Sequence, residues 1–120
     1  MRLRALFPAL LAFLLAASAA LSVQRKPKED PNIRSVQGVV RAPDDSVVEG
    51  AIVQLKDTKT LQVRSFVTLE DGTYYFQGLR TNIDYELRAE RRGAASPVKT
   101  LSVYDSRKKA IINLKLESKQ

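Results

Sequence analysis

From Ser35 to Glu117 apolar residues recur at every second position, in short runs separated by turn-forming residues. A period of two puts alternate side chains on opposite faces of an extended strand, so each run can bury only one face. Val36, Gly38 and Val40 share a face opposite Gln37 and Arg41. Ala51, Val53 and Leu55 alternate with Gln54 and Lys56. Val63, Ser65 and Val67 alternate with Arg64, Phe66 and Thr68. Tyr74 and Phe76 follow, then Leu79. Tyr85, Leu87 and Ala89 alternate with Glu86, Arg88 and Glu90. Leu101 and Val103 mark a sixth run, and Ile112, Leu114 and Leu116 a seventh. No window outside the N-terminal segment has a helical period. Seven short strands spaced by about ten residues are the pattern of an antiparallel sandwich and not of alternating strand–helix units.

The breaks between runs have their own chemistry. Ala42-Pro43-Asp44-Asp45-Ser46, Asp57-Thr58-Lys59-Thr60 and Arg91-Arg92-Gly93-Ala94-Ala95-Ser96-Pro97 are turn and loop clusters, and Gly78 to Asp84 reads as a further loop. Asp71-Gly72 is the sharpest signal. Glycine accepts a positive φ and aspartate bonds its own backbone nearby, so the pair is expected to turn a hairpin between the third and fourth runs. On that reading the aromatics of the fourth and fifth strands meet across paired strands.

The N-terminus is of a different kind. Arg2 and Arg4 precede an apolar run from Ala5 to Ala17 broken only by Pro8, and Ala17-Ser18-Ala19 has the small-x-small form of a cleavage site. Residues 1–19 are therefore expected to be a secretory signal peptide, with a transmembrane anchor as the competing reading. Residues 20–33, with Pro27, Pro31 and dense charge, read as an extended linker, and 34–118 as one domain. The chain has no Cys, which excludes lipid attachment at a cysteine and any disulfide. The core must hold the domain without covalent help.

The quoted runs carry a resemblance. Gly50-Ala51-x-Val53-x-Leu55, Thr68-x-x-Asp71-Gly72-x-Tyr74-x-Phe76-x-x-Leu79 and Tyr85-x-Leu87 together resemble the carboxypeptidase regulatory-like domain, from about Val36 to Leu116. The resemblance implies a transthyretin-like, seven-stranded antiparallel Greek-key β-sandwich. It also implies a setting in secreted and surface proteins of bacteria. Thr81-Asn82-Ile83-Asp84 departs from the Pro-Gly turn that such domains often carry.

Chemistry is harder to find. The chain has no His and no Cys, so neither a zinc site nor a Ser-His-Asp or Cys-His arrangement has its usual residues. The ligands of a metallocarboxypeptidase and the histidines of the transthyretin-like hydrolases have no counterpart. Asp44, Asp45, Glu70 and Asp71 have the residue type for two-carboxylate or calcium chemistry, but all fall at turns, where acidic residues bond the local backbone. The glycines are isolated, so no phosphate loop is present. The net charge is +7, of which Arg2 and Arg4 belong to the leader, and the remaining basic residues are dispersed instead of joined to stacking aromatics. Nucleic acid is not expected as a partner.

No catalytic residue, cofactor or metal is therefore expected. The expected role is a non-catalytic module for protein interaction or structural support at the bacterial cell envelope, exported to the periplasm or beyond, with no stable membrane span once the leader is cut. The partner is a protein or a glycan. Phe66, Tyr75 and Tyr104 are the candidate contact residues, expected to face away from the core, with Val39, Ile52 and Ile111 beside them. The alternative is a carbohydrate-binding module that uses exposed tyrosines as platforms.

Overall fold

The computed structural model describes residues 30–118, and the leader expected over 1–19 and most of the expected linker lie outside them. Nine strand segments follow one another: β1 (Ile33–Arg41), β2 (Ile52–Asp57), β3 (Val63–Val67), β4 (Thr73–Arg80), β5 (Tyr85–Arg91), β6 (Ala94–Ala95), β7 (Lys99–Leu101), β8 (Lys109–Ile111) and β9 (Leu114–Lys115). There is no helix among the described residues. The segments form two sheets. One runs β4-β1-β8 with β9 also on β1, and the other runs β3-β2-β5-β6 with β7 also on β5. The sixth expected strand is β7, which stops at Leu101, and the seventh is β9; β6 forms within the segment expected to be a loop, and β8 forms just before the seventh.

The inward faces of the sheets supply one core. Val36 and Val40 of β1, Tyr74, Phe76 and Leu79 of β4, and Leu114 meet Val53 and Leu55 of β2, Leu87 and Ala89 of β5, and Leu101. Burying each large apolar side chain is worth about 1.5–3 kcal/mol. β4 reaches Leu79 through a bulge. Arg34 pairs with Leu79 and Val36 with Phe76, so β4 has one residue more than β1 over that span, and the register shifts there. The extra residue returns Leu79 to the inner face three positions after Phe76. This takes the strand through Gly78 to Arg80, where the sequence suggested a loop.

Three expectations are corrected. The Asp71-Gly72 turn does not close a hairpin, because β3 pairs with β2 and β4 with β1. The turn carries the chain from one sheet to the other. Asp71 still accepts from the Thr73 amide at 3.2 Å and hydroxyl at 2.7 Å. Gly72 has φ of 77°, and a Cβ there would stand 2.9 Å from the Val40 carbonyl oxygen, whose strand receives the chain. Consequently Tyr74 and Phe76 face Tyr85 and Leu87 across the core instead of pairing with them. Second, the sandwich is not wholly antiparallel, since β8 and β9 run parallel to β1. The chain crosses from the β7 edge of one sheet to the β8 edge of the other, and so arrives alongside β1 in the same direction. Third, Phe66 does not face outward. Its ring packs edge-on to Phe76 with centroids 6.1 Å apart, and the outward positions of β3 are Val63, Ser65 and Val67. Thr68 fixes that phase. Buried between the strands, its hydroxyl donates to the Val48 carbonyl at 2.6 Å and accepts from the Ala51 amide at 2.8 Å, which places Phe66, two residues back, on the same inner side.

Candidate functional site

The outer face of the β4-β1-β8 sheet is built by the same alternation that fills the core. Ser35, Gln37 and Val39 are the outward residues of β1. Register sets their neighbours. Gln37 lies between Tyr75 of β4 and Ile111 of β8, Ser35 lies beside Lys109, and Val39 lies opposite Thr73. The Val39 amide donates to Asn113 Oδ1 at 3.0 Å, which draws Asn113 onto the same end of the face. Tyr75 and Ile111 are both exposed, and the Tyr75 hydroxyl donates to Gln77 Oε1 at 2.6 Å.

A groove of about 370 Å³ crosses one end of this face, lined by Ile33, Ser35, Tyr75, Gln77, Lys108 and Lys109. Lys108 Nζ donates to the Asp30 carbonyl at 3.2 Å. Lys109 has no ion-pair partner among the described residues. The groove therefore sets a tyrosine ring and an amide beside two lysines, with Asp30 also in its lining. A second depression continues over Gln37, Val39, Tyr75 and Ile111. The arrangement presents hydrogen-bonding groups, one aromatic face and positive charge. No nucleophile–base pair accompanies them.

Two of the three candidate contact residues are brought together. Tyr75 lies on this face, and Phe66, half-buried against Phe76, lines the second depression with it. Tyr104 is 92% exposed in the turn between β7 and β8, where its amide donates to Ser102 Oγ at 3.0 Å, and it does not line the groove. Of the wider patch, Val39 and Ile111 join Tyr75, whereas Ile52 projects from the other sheet beside Val67. Lys108 and Lys109 sit at the sheet edge, and their convergence on Tyr75 depends on β8 running parallel to β1, which the sequence did not suggest.

The acidic turn residues serve the backbone. Asp44 accepts from the Ser46 amide and hydroxyl, and Asp71 does the same with Thr73. These hydrogen bonds hold both carboxyls below their ordinary pKa. Asp45 pairs with Lys115 at 3.0 Å. No group of three or more His, Cys, Asp or Glu side chains converges among the described residues.

The residue that sequence reasoning missed is Arg34. It is 2% exposed and occupies the inward phase of β1 with Val36, Gly38 and Val40. Its guanidinium donates to the carbonyls of Arg80 (3.2 Å), Ile83 (2.8 Å), Ser102 (2.8 Å) and Asp105 (3.1 Å). Burial lowers its pKa and the nearby Asp105 opposes that shift. The period-two phase of Arg34 was the available signal. Its role is to close the end of the sandwich that bears the 80–84 and 101–105 loops.

Comparison with known proteins agrees with this architecture. The carboxypeptidase regulatory-like domain family matches the chain over residues 35–117. No curated protein matches the sequence. Among solved structures, a chlorocatechol 1,2-dioxygenase from Pseudomonas putida superposes with a TM-score of 0.58 at 10% identity, over 88% of this chain and 69% of that one. The Bacillus anthracis TIE protein gives 0.54 at 16% identity, over 71% of this chain and 16% of that one. The dioxygenase domain of a dioxygenase carbohydrate-binding protein fusion from Streptomyces sp. SirexAA-E gives 0.52 at 13% identity, over 78% and 84%. At such identities the likeness is one of fold alone.

Proposed function

The chain belongs to the carboxypeptidase regulatory-like domain family, and from that premise we propose that it is a non-catalytic interaction module working at a bacterial cell envelope. The observation that carries this reading is the continuous outer face of the β4-β1-β8 sheet. There Tyr75, Gln37 and Ile111 lie in one row across three strands, with Lys108 and Lys109 at its end. Rigid strands hold these side chains in a fixed pattern, and an aromatic ring flanked by polar and basic groups is suited to docking a protein surface. Export of the chain by its N-terminal segment would bring the face to the envelope.

A second reading has one observation in its favour. Tyr75 stands with its ring exposed among the amides of Gln37 and Gln77, the combination that stacks on a sugar ring and bonds its hydroxyls. The two readings separate in one experiment. Immobilised full-length protein is exposed to envelope proteins and, separately, to a panel of envelope polysaccharides, each beside Tyr75→Ala and Lys109→Glu variants. Retention of a protein that both substitutions abolish supports the module. Retention of a polysaccharide lost with Tyr75→Ala supports the sugar platform. Binding indifferent to both substitutions removes this face from the account.

A further inference from the structure

β3 is the outer strand of its sheet, and its open side is unlike the other edges. The hydrogen-bond phase follows from the two ends of the β2–β3 ladder. The Thr68 amide donates to the Ala51 carbonyl and the Asp57 amide to the Gln62 carbonyl, each at 2.9 Å. Alternation between these pairs makes Val53–Phe66 and Leu55–Arg64 the hydrogen-bonded partners. Val63, Ser65 and Val67 therefore turn their amides and carbonyls away from β2, toward solvent. Their side chains are exposed as well, Val63 at 52% and Val67 at 59%, and the flanking Leu61 and Leu69 are also exposed on either side. Leu61 is held at φ 65°, a conformation unfavourable for leucine, and still displays its side chain to water.

The edges of the β4-β1-β8 sheet are guarded. β8 and β9 present Lys109 and Lys115, and lysines discourage strand addition. On β4 the Thr73 carbonyl accepts from Leu69 and the Gln77 carbonyl from Arg64, so that edge is capped at both ends. No outward side chain of β3 is charged. The stripe Leu61, Val63, Ser65, Val67, Leu69 reads the same in both directions about Ser65.

We propose that β3 is a self-association edge, on which two copies of the chain pair antiparallel about a two-fold axis at Ser65. A two-fold axis sets each residue against its mirror position in the stripe. Val63 then faces Val67 of the second copy, Leu61 faces Leu69, and Ser65 faces Ser65. Arg64 faces Phe66 instead of another cation. The outward amides and carbonyls of Val63, Ser65 and Val67 find partners, and the two β3-β2-β5 sheets become one. A foreign strand would satisfy the backbone equally well, but only a second copy makes use of the palindrome. Leu69 borders the depression that Tyr75 also lines, but the proposal does not depend on the role of the Tyr75 face.

Sedimentation of the full chain over a range of concentrations tests the proposal, beside Ser65→Lys, which sets two lysines directly opposite each other at the axis. The wild type is expected to shift from monomer to dimer with concentration. Ser65→Lys is expected to weaken that association about fivefold, with an unchanged circular dichroism spectrum. In a chain without cysteine, Ser65→Cys is expected to oxidise to a covalent dimer faster than Tyr104→Cys does. A wild type that stays monomeric, an association that Ser65→Lys leaves intact (one driven by the N-terminal segment, for example), or equal oxidation rates would each overturn the proposal.

Discussion

Nη2 of Arg34 stands 2.8 Å from the carbonyl oxygen of Ile83, so the first strand of one sheet holds a loop that leads into the other. The same guanidinium reaches Ser102 and Asp105. A buried cation satisfied by loop carbonyls is costly to leave half-made in either direction. Arg34→Met removes the donors and strands several carbonyls at once, and is expected to destabilise the domain by about 3 kcal/mol. Arg34→Lys recovers little, because three donors on one nitrogen do not span the fork. Urea midpoints of the two variants check this, and hydrogen exchange is expected to show the 101–105 backbone loosening first.

Gly38 and Tyr74 are register partners, and the tyrosine occupies the space the glycine leaves. A Cβ on residue 38 would stand 1.9 Å from the Ile112 carbonyl oxygen and 2.9 Å from the Tyr74 ring. The Tyr74 hydroxyl donates to that same carbonyl, and burial pushes its pKa up. Gly38→Ala is therefore expected to cost about 3 kcal/mol, the upper end of overpacking. Tyr74→Phe is expected to cost only about 1 kcal/mol, one hydrogen bond. Thermal unfolding distinguishes the two, and a neutral Gly38→Ala would contradict the close approach of β1 and the Ile112 segment.

Asp105 accepts from the amide, Nε and Nη2 of Arg107, the last at 2.6 Å, and these bonds lower its pKa to about 2. A carboxyl depressed in the folded state stabilises above its unfolded value of about 3.9 and loses that stabilisation as pH falls through the folded one. Stability is thus expected to fall between about pH 4 and pH 2, with about 1 kcal/mol from this residue after solvent screening. Asp105→Asn is expected to flatten that part of the curve. An unchanged slope would show that the Arg107 pairing does not persist in solution.

The strands whose two faces differ in polarity were legible in the sequence. In β5 the apolar residues keep one phase, and in β1 and β2 the inner phase is the more apolar although Ile33, Val39 and Ile52 fall in the other, so the core residues Val36, Val40, Val53, Leu55, Leu87 and Ala89 follow directly. β3 carries apolar residues in both phases. Counting favours Val63 with Val67 over Phe66, yet the buried Thr68 decides the other way, and no periodicity reports a hydroxyl bonded across strands. Asp71-Gly72 marks a turn in either topology, since local bonds cannot say whether the next strand pairs with the last one or crosses to the opposite sheet. Of the candidate site, Tyr75 was visible through its outward phase. Val39 and Ile111 were expected beside it, whereas Lys108 and Lys109 joined it only through the parallel docking of β8 on β1, a long-range pairing without a local signature. Arg34 was readable in phase but not in purpose, because its acceptors come from loops more than forty residues away.

Tyr75 projects from the sheet and makes its one side-chain hydrogen bond to Gln77, two residues along. Tyr75→Ala is expected to leave the unfolding midpoint within about 0.5 kcal/mol of wild type, as exposed substitutions usually do. A larger loss would assign the ring to the fold and not to a partner.

The central claim is that the β4-β1-β8 face is where the module makes its contacts, and site-specific photocrosslinking tests it most directly. A photoreactive side chain replaces Tyr75 on this face or Gln54 on the opposite sheet, and each protein is irradiated with envelope extract of the native host. Position 75 is expected to give a discrete adduct that excess wild type competes away and excess Tyr75→Ala does not, with none from position 54. An adduct from position 54 alone, or one at 75 that both competitors displace equally, would contradict it.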